Sequence, residues 1–327
     1  MENLALLRSS KMSNLAQSAM AERKPPVSEA EELDSFLADL ESMDKVKEIA
    51  GWESGFPNLS RALNGILPGL YLLIGPPSCG KTAFAKQLCD QVVQHNLVPT
   101  IFFTFAETKK ELRIRTLSRL SGLEGREIRR GSSFILHWYG VPKARFSDPE
   151  QIAPSWEKLK RAAEQAKSWL DLIYLFEANE KTNLKEIENH IRRVKETKGT
   201  DRVMVVIDDS QYLGASDWPI DSRLSLITEQ LQRMAVNLDV PVLATWPDLK
   251  RESHHTTNPQ EWAMRIPSAE VVLVMEDDPE RTKKLTEPSR AVTLHIVKNR
   301  GGERGKLYFD FFPSLAKFAE VNSDREA

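Results

Sequence analysis

Eight residues, GPPSCGKT from Gly75 to Thr82, carry the clearest chemistry in the chain. They fit G-x-x-x-x-G-K-[ST], with the apolar run LYLLIG before them and the amphipathic stretch KTAFAKQLCDQVV after. Strand, glycine loop and helix in that order make a phosphate cradle. Gly75, Pro76, Pro77, Ser78, Cys79 and Gly80 would curl the backbone so that successive N–H groups face inward, and the helix start adds positive potential. Lys81 would reach the β- and γ-phosphates, and the Thr82 hydroxyl can ligate Mg²⁺. ATP with Mg²⁺ is therefore the expected cofactor pair.

Such a loop needs a second metal-organising carboxylate at the end of a buried strand. VMVVIDDSQYL supplies Asp208 for the metal, with Asp209 either a supporting group behind it or the start of the loop. Hydrolysis also needs a group that orients water. TIFFTFAETKKEL offers Glu107, either that group or a solvated residue beginning the next helix. Near the end of the chain, VTLHIVKNRGGERGKLYFDFF sets Lys298 and Arg300 two apart, on one face of an extended strand. They could be a solvated hairpin tip, a nucleic-acid contact, or cations aimed at another molecule's substrate.

The elements that must position these groups are legible as a pattern. Short apolar runs (70–75, 100–105, 172–177, 203–208 and 240–246) alternate with helical stretches near 81–94, 109–121, 156–170, 183–197 and 222–237. That alternation predicts an α/β fold with a mostly parallel sheet covered on both faces. After 246 the texture turns strand-rich, ending in a β-hairpin. Residues 1–27 read as a polar tail, 28–50 as an amphipathic helix with Leu33, Phe36, Leu37, Leu40 and Met43 on one stripe, 51–318 as the main domain, and 319–327 as a polar tail. The stretch 131–154 has no clear period. A net charge of −2 over 327 residues argues against a general polycation, though not against a narrow basic channel. No stretch approaches the ~20 apolar residues that cross a bilayer. Two cysteines, Cys79 and Cys89, without ligand spacing, and no signal-peptide pattern, predict a reduced, cytoplasmic protein.

Together these segments resemble the ATPase domain of hexameric replicative DNA helicases of the DnaB type, within the RecA-like P-loop NTPases. GFPNLSRALNGILPGLYLLIGPPSCGKTAFA is similar to that family's entry and P-loop; FFTFAETKKELRIRTLSRLSGL to its glutamate strand and the helix after it, with Arg115; IRRVKETKGTDRVMVVIDDSQYL to its metal-carboxylate strand, with Gln211. VKNRGGERGKLYFDF matches its Lys-x-Arg hairpin. The resemblance implies a homo-oligomeric ring, expected to be a hexamer, in which Lys298 and Arg300 act on a neighbour's nucleotide. It implies single-stranded DNA as substrate, a replication or loading partner, and a linker helix at 28–50 that packs on an adjacent subunit. DNA would meet the loops at 214–223 and 249–265, through Arg223, Lys250, Arg251 and Arg265. Trp218, Trp246 and Trp262 could stack on bases or be buried, and His254 with His255 read as loop residues, not metal ligands.

Three departures stand out. Trp246 and Pro247 replace the family's Ser-Gln sensor, with Asp248 as a partial substitute. Ala106 aligns with the family's glutamate, so Glu107 is shifted by one. About fifty residues precede position 51, where the family carries a larger N-terminal domain. These departures keep two rivals open: an ATP-dependent switch or assembly protein without helicase action, and a helicase-derived ATP-binding interaction protein with weak turnover.

Overall fold

The computed structural model describes residues 33, 37–38, 48–131, 153–179, 181–214, 220–248 and 258–321. In chain order they form α1 (Pro57–Leu63), β1 (Gly69–Gly75), α2 (Lys81–Asn96), β2 (Thr100–Thr104), α3 (Lys109–Ser121), α4 (Gly125–Arg130), α5 (Ala153–Leu170) and β3 (Ile173–Glu177). Then follow α6 (Leu184–Lys198), β4 (Met204–Asp208), α7 (Ile220–Leu238), β5 (Pro241–Pro247), α8 (Pro259–Arg265) and β6 (Val271–Asp277). The chain ends with α9 (Pro279–Thr282), β7 (Arg290–Asn299), β8 (Gly305–Phe312) and β9 (Lys317–Val321). These elements belong to the second of two units, residues 48–327; the first covers 1–47. The helix expected at 28–50 falls mostly outside the described residues, as do most of 131–154 and the N-terminal tail.

The nine strands join one sheet in the order β3-β2-β4-β5-β1-β6-β7-β8-β9. Strands β3 to β6 in that order run parallel, and β7, β8 and β9 continue antiparallel. Strand β1 shows why its sequence is apolar without alternation. Tyr71 and Leu73 pack with Phe84 and Leu88 of α2, while Leu70, Leu72 and Ile74 meet Ile191 and Leu231 from α6 and α7. Both faces are covered, so neither tolerates polarity. On the α2 face Phe84 stacks on Phe56 with ring centroids 5.3 Å apart and meets Phe318 edge-on at 5.2 Å.

Strand β9 has no counterpart in the sequence reading and carries the sheet to Val321, past the boundary placed at 318. KFAEV is a short edge strand of mixed polarity, which gives little periodic signal. Its Glu320 carboxylate accepts the N–H groups of Asn58 (2.8 Å) and Leu59 (3.0 Å), satisfying the start of α1 from a distant strand.

A buried ionic cluster ties α2 to α3. Asp90 (2 % exposed) accepts from Lys86, from Arg119, and from the Thr116 hydroxyl at 2.7 Å. Lys86 also donates to Thr116 Oγ1 at 2.8 Å, and Arg119 to the Ala316 carbonyl at 3.2 Å. One carboxylate thus holds two buried cations. Asp90→Ala should lower the unfolding free energy by about 3–5 kcal/mol, because it strands both. Urea unfolding checks this; a loss under about 1 kcal/mol would show that water reaches the cluster.

Candidate active site

Strands β1, β2, β4 and β5 end at the same edge of the sheet, where open parallel sheets bind ligands. The loop from Gly75 to Gly80 opens there. Gly80 has φ 103°, and a Cβ on it would lie 2.9 Å from the Phe318 ring, so both conformation and packing demand glycine. Gly80 precedes α2 and has no side chain to cap it, which suits the helix start to an anion. By contrast, α3 and α6 are capped by Thr108 and Asn183.

Lys81 Nζ donates to the carbonyls of Gly75 and Pro76, each at 2.9 Å, folding the cation over the loop. The Thr82 hydroxyl lies 2.9 Å from Asp208 Oδ2 and 3.1 Å from Oδ1. Thr245, at the end of β5, donates to Asp208 Oδ1 at 2.9 Å and accepts the Asp209 N–H at 2.7 Å. Glu107 is turned toward the same cleft by its own N–H, which donates to Thr104 Oγ1 at 2.9 Å. Its carboxylate pairs with Arg115, whose Nε lies 2.8 Å away. Burial alone would pull the Arg115 guanidinium down, but the Glu107 hydrogen bond and charge outweigh it and leave it raised. The cleft they share is about 610 Å³.

Burial pushes the Asp208 carboxyl up to about 6, against the hydrogen bonds from Thr245 and Thr82, with Asp209 and Glu107 adding repulsion. A carboxyl raised by folding favours the folded state below its ordinary range, and that contribution is lost as pH rises through about 6. Metal-free Asp208→Asn protein should therefore be more stable than wild type at pH 8, by up to about 3 kcal/mol. The gap should narrow between pH 6 and 4.5. Urea unfolding in EDTA across that range decides it; a pH-independent loss of stability would contradict the argument.

Thr82 Oγ1 and Asp208 Oδ2 suit a small, hard cation. Their 2.9 Å separation is about the edge of an octahedron with metal–oxygen bonds of about 2.1 Å. Among the described residues no three His, Cys, Asp or Glu form a metal cage, so phosphate oxygens and water would complete such a site.

Lys298 and Arg300 do not line this cleft. Strand β7 runs antiparallel to β6, pairing Lys298 with Val272, so its end lies at the opposite edge of the sheet. Lys298 Nζ donates to the carbonyls of Ile266 (3.1 Å) and Pro267 (2.8 Å), and Arg300 Nη2 donates to Pro267 at 3.1 Å. The shared acceptor brings the two cations together, as their spacing predicts. Burial, then the neighbouring Arg300, lowers the Lys298 ammonium.

The start of β7 does reach the cleft, and no motif signalled it. Arg290 Nη2 donates to the Ser78 carbonyl at 3.0 Å, and its guanidinium lies 5.3 Å from the Phe311 ring. Phe311, Pro313 and Tyr212 complete that wall. Trp246 and Trp262 are core residues, 2 % and 4 % exposed. Asp248 is buried too, its N–H donating to the Gly75 carbonyl at 2.8 Å. Arg223 is half-buried on α7, and Arg265 lies 4.9 Å from the Trp262 ring at the end of α8. Lys250, Arg251, His254, His255 and Trp218 lie outside the described residues.

The chain is similar to known proteins in both sequence and fold. The profile of the DnaB-like helicase C-terminal domain matches residues 51–320. A probable replicative DNA helicase of Trieres chinensis is 24% identical over 296 residues, covering 86% of this chain and 60% of that protein. Replicative DNA helicase DnaB of Haemophilus influenzae is 22% identical over 326 residues, covering 94% of this chain and 65% of the relative. The chain thus spans less than two thirds of these relatives. A solved ATPase domain superposes with a TM-score of 0.73 at 22% identity, covering 91% of this chain and all of that one. A DnaB-like replicative helicase, solved for its interactions with primase, superposes at 0.69 with 23% identity, covering 95% and 71%.

Proposed function

This chain belongs to the DnaB-like helicase C-terminal domain family, and from that premise we propose that it is a Mg·ATP-hydrolysing RecA-like ring motor acting on single-stranded DNA. The observation that carries the reading is the division of charge between two edges of one sheet. Lys81, Thr82, Glu107 and Asp208 gather at one edge, while Lys298 and Arg300 are held together at the other. Cations so placed cannot serve their own cleft but suit that of the next copy. A head-to-tail contact of this kind gives a ring where its rotation closes.

In the proposed reaction the loop N–H groups and Lys81 hold the β- and γ-phosphates. Thr82 and Asp208 would hold Mg²⁺, which when bound would neutralise charge on the phosphate oxygens. Glu107 orients water in line with the γ-phosphorus, and Arg115 keeps that carboxylate aimed. Lys298 and Arg300 of a neighbouring copy offset charge building on the transferred phosphoryl group. DNA contacts are assigned to Arg223, Lys250, Arg251 and Arg265, and the ring is proposed to be a hexamer with a replication or loading partner. Free, buried Cys79 and Cys89 fit a cytoplasmic setting, and among the described residues no helix is long and apolar enough to cross a membrane.

A second reading has one observation in its favour. Trp246 is packed in the core, and Pro247 offers the cleft no amide, so the usual polar link from nucleotide to DNA loops is altered. An ATP-controlled switch or assembly protein would need less of that link. The test is ATP turnover with and without single-stranded DNA, beside Lys81→Ala, with particle mass measured with and without ATP. DNA-stimulated turnover in a hexamer is the expected result. Assembly on ATP without DNA response supports the switch, and turnover no faster than Lys81→Ala supports the weakly hydrolysing relative.

A further inference from the structure

Strand β5, PVLATWP, contains one hydroxyl, and it stands at the cleft. Thr245 is 1 % exposed, with its neighbour Trp246 turned into the core on the other side of the strand. Its hydroxyl has one proton to give. The Asp209 N–H, 2.7 Å away, occupies an acceptor site on that oxygen, which leaves the proton for Asp208 Oδ1 at 2.9 Å. Asp209 presents its N–H from a left-handed conformation, φ 63°, costly for a residue with a side chain unless its surroundings hold it. The Ser210 hydroxyl donates to the Thr245 carbonyl at 2.8 Å, a second tie between the same segments. One residue of β5 therefore grips three consecutive residues at the end of β4.

We propose that Thr245 is a positioning residue for the metal carboxylate. By engaging Oδ1 it fixes the rotation of the Asp208 side chain, and Oδ2, slightly the nearer to Thr82, is the oxygen that would be left for a cation. Without that anchor the carboxylate, whose two oxygens now lie 2.9 and 3.1 Å from Thr82 Oγ1, is free to rotate out of that arrangement, and a cation held by Thr82 and Asp208 would lose a fixed ligand. Thr245 thus ties the end of β5 to the state of the nucleotide, at a position one residue before the altered sensor. Asp248 is less suited to that task, since it is buried and its N–H is bonded to the Gly75 carbonyl. This inference rests on the assignment of Asp208 to Mg²⁺.

Fluorescent ADP binding, titrated in EDTA and then with added Mg²⁺, separates positioning from packing. Valine matches threonine in shape and lacks the hydroxyl; serine keeps the hydroxyl and loses a methyl. Thr245→Val protein should bind ADP in EDTA within about twofold of wild type. It should need about 10–100 times more Mg²⁺ for half of the Mg²⁺ effect, the usual loss when a partner of a metal ligand is removed. Thr245→Ser should stay within about threefold of wild type. A Thr245→Val response equal to wild type overturns the proposal, as does a serine variant as impaired as valine. If circular dichroism shows Thr245→Val unfolded, Thr245→Ala is judged by the same criterion. Wild type that gains nothing from Mg²⁺ refutes Thr245 and the metal assignment together. The expected Mg²⁺ pattern in a protein without Lys81-dependent ATP turnover leaves Thr245 in its role and removes the motor.

Discussion

Arg300→Ala protein should bind ATP about as tightly as wild type and hydrolyse it about 10³–10⁵ times more slowly, the usual effect of losing a cation supplied by a neighbour. Ground-state binding survives because Arg300 lies at the sheet edge opposite the cleft, bonded to the Pro267 carbonyl of its own chain. Turnover would fall because, in the proposed ring, its charge acts only when the transferred phosphoryl group develops its own. Mixing makes the test decisive. Lys81→Ala protein has an inactive cleft but an intact Arg300; Arg300→Ala protein has the reverse. Random mixing in a ring leaves about a quarter of the interfaces with both parts, so each variant is dead alone and the mixture recovers toward that share. A mixture with no recovery, or an Arg300→Ala monomer that turns over like wild type, would return the cations to a solvated hairpin. Lys298→Ala should show the same pattern more weakly, because its ammonium is partly desolvated and held by two carbonyls.

The parts of this protein that could be read from sequence are those with a repeating physical signal. Strand β1 is apolar at every interior position because both its faces are covered, and GPPSCGKT is informative because each residue type answers a geometric need. The carboxylate proposed for the metal follows the same logic, as the acid that ends the buried run MVVID just before Asp209. Contacts that depend on sheet order were not. Arg290 reaches the cleft only because β7 turns back antiparallel beside β6, and no local pattern in TEPSRAVT foretells that. Thr245 looks like one more strand residue until β4 and β5 lie side by side. The ionic cluster around Asp90 is equally silent: Lys86 and Asp90 resemble an ordinary surface i, i+4 pair, and only Arg119 and Thr116 of α3 make it a buried centre.

Glu107→Gln should lower the turnover number by about 10²–10⁴, the range for loss of a positioned general base, with ADP binding and its Mg²⁺ response close to wild type. Gapless alignment with the family puts Ala106 where a glutamate is expected, one residue before Glu107. The local geometry argues for Glu107. Strand β2 ends at Thr104, and the Thr104 hydroxyl accepts the Glu107 N–H at 2.9 Å, closing a turn that carries Glu107 to the cleft. Ala106 is exposed, and it is absent from the cleft wall. Arg115 then holds the Glu107 carboxylate through Nε at 2.8 Å and through a second, closer contact at Nη2. The extra residue before the glutamate is therefore absorbed by a turn, and the carboxylate still lines the cleft. Ala106→Glu in a Glu107→Ala background should accordingly fail to restore turnover, since a side chain at 106 points to solvent. Arg115→Ala should lower turnover less than Glu107→Gln, because it loosens the carboxylate without removing it. Glu107→Gln protein that retains turnover within about threefold, or rescue by Ala106→Glu, would move the water-orienting group away from Glu107.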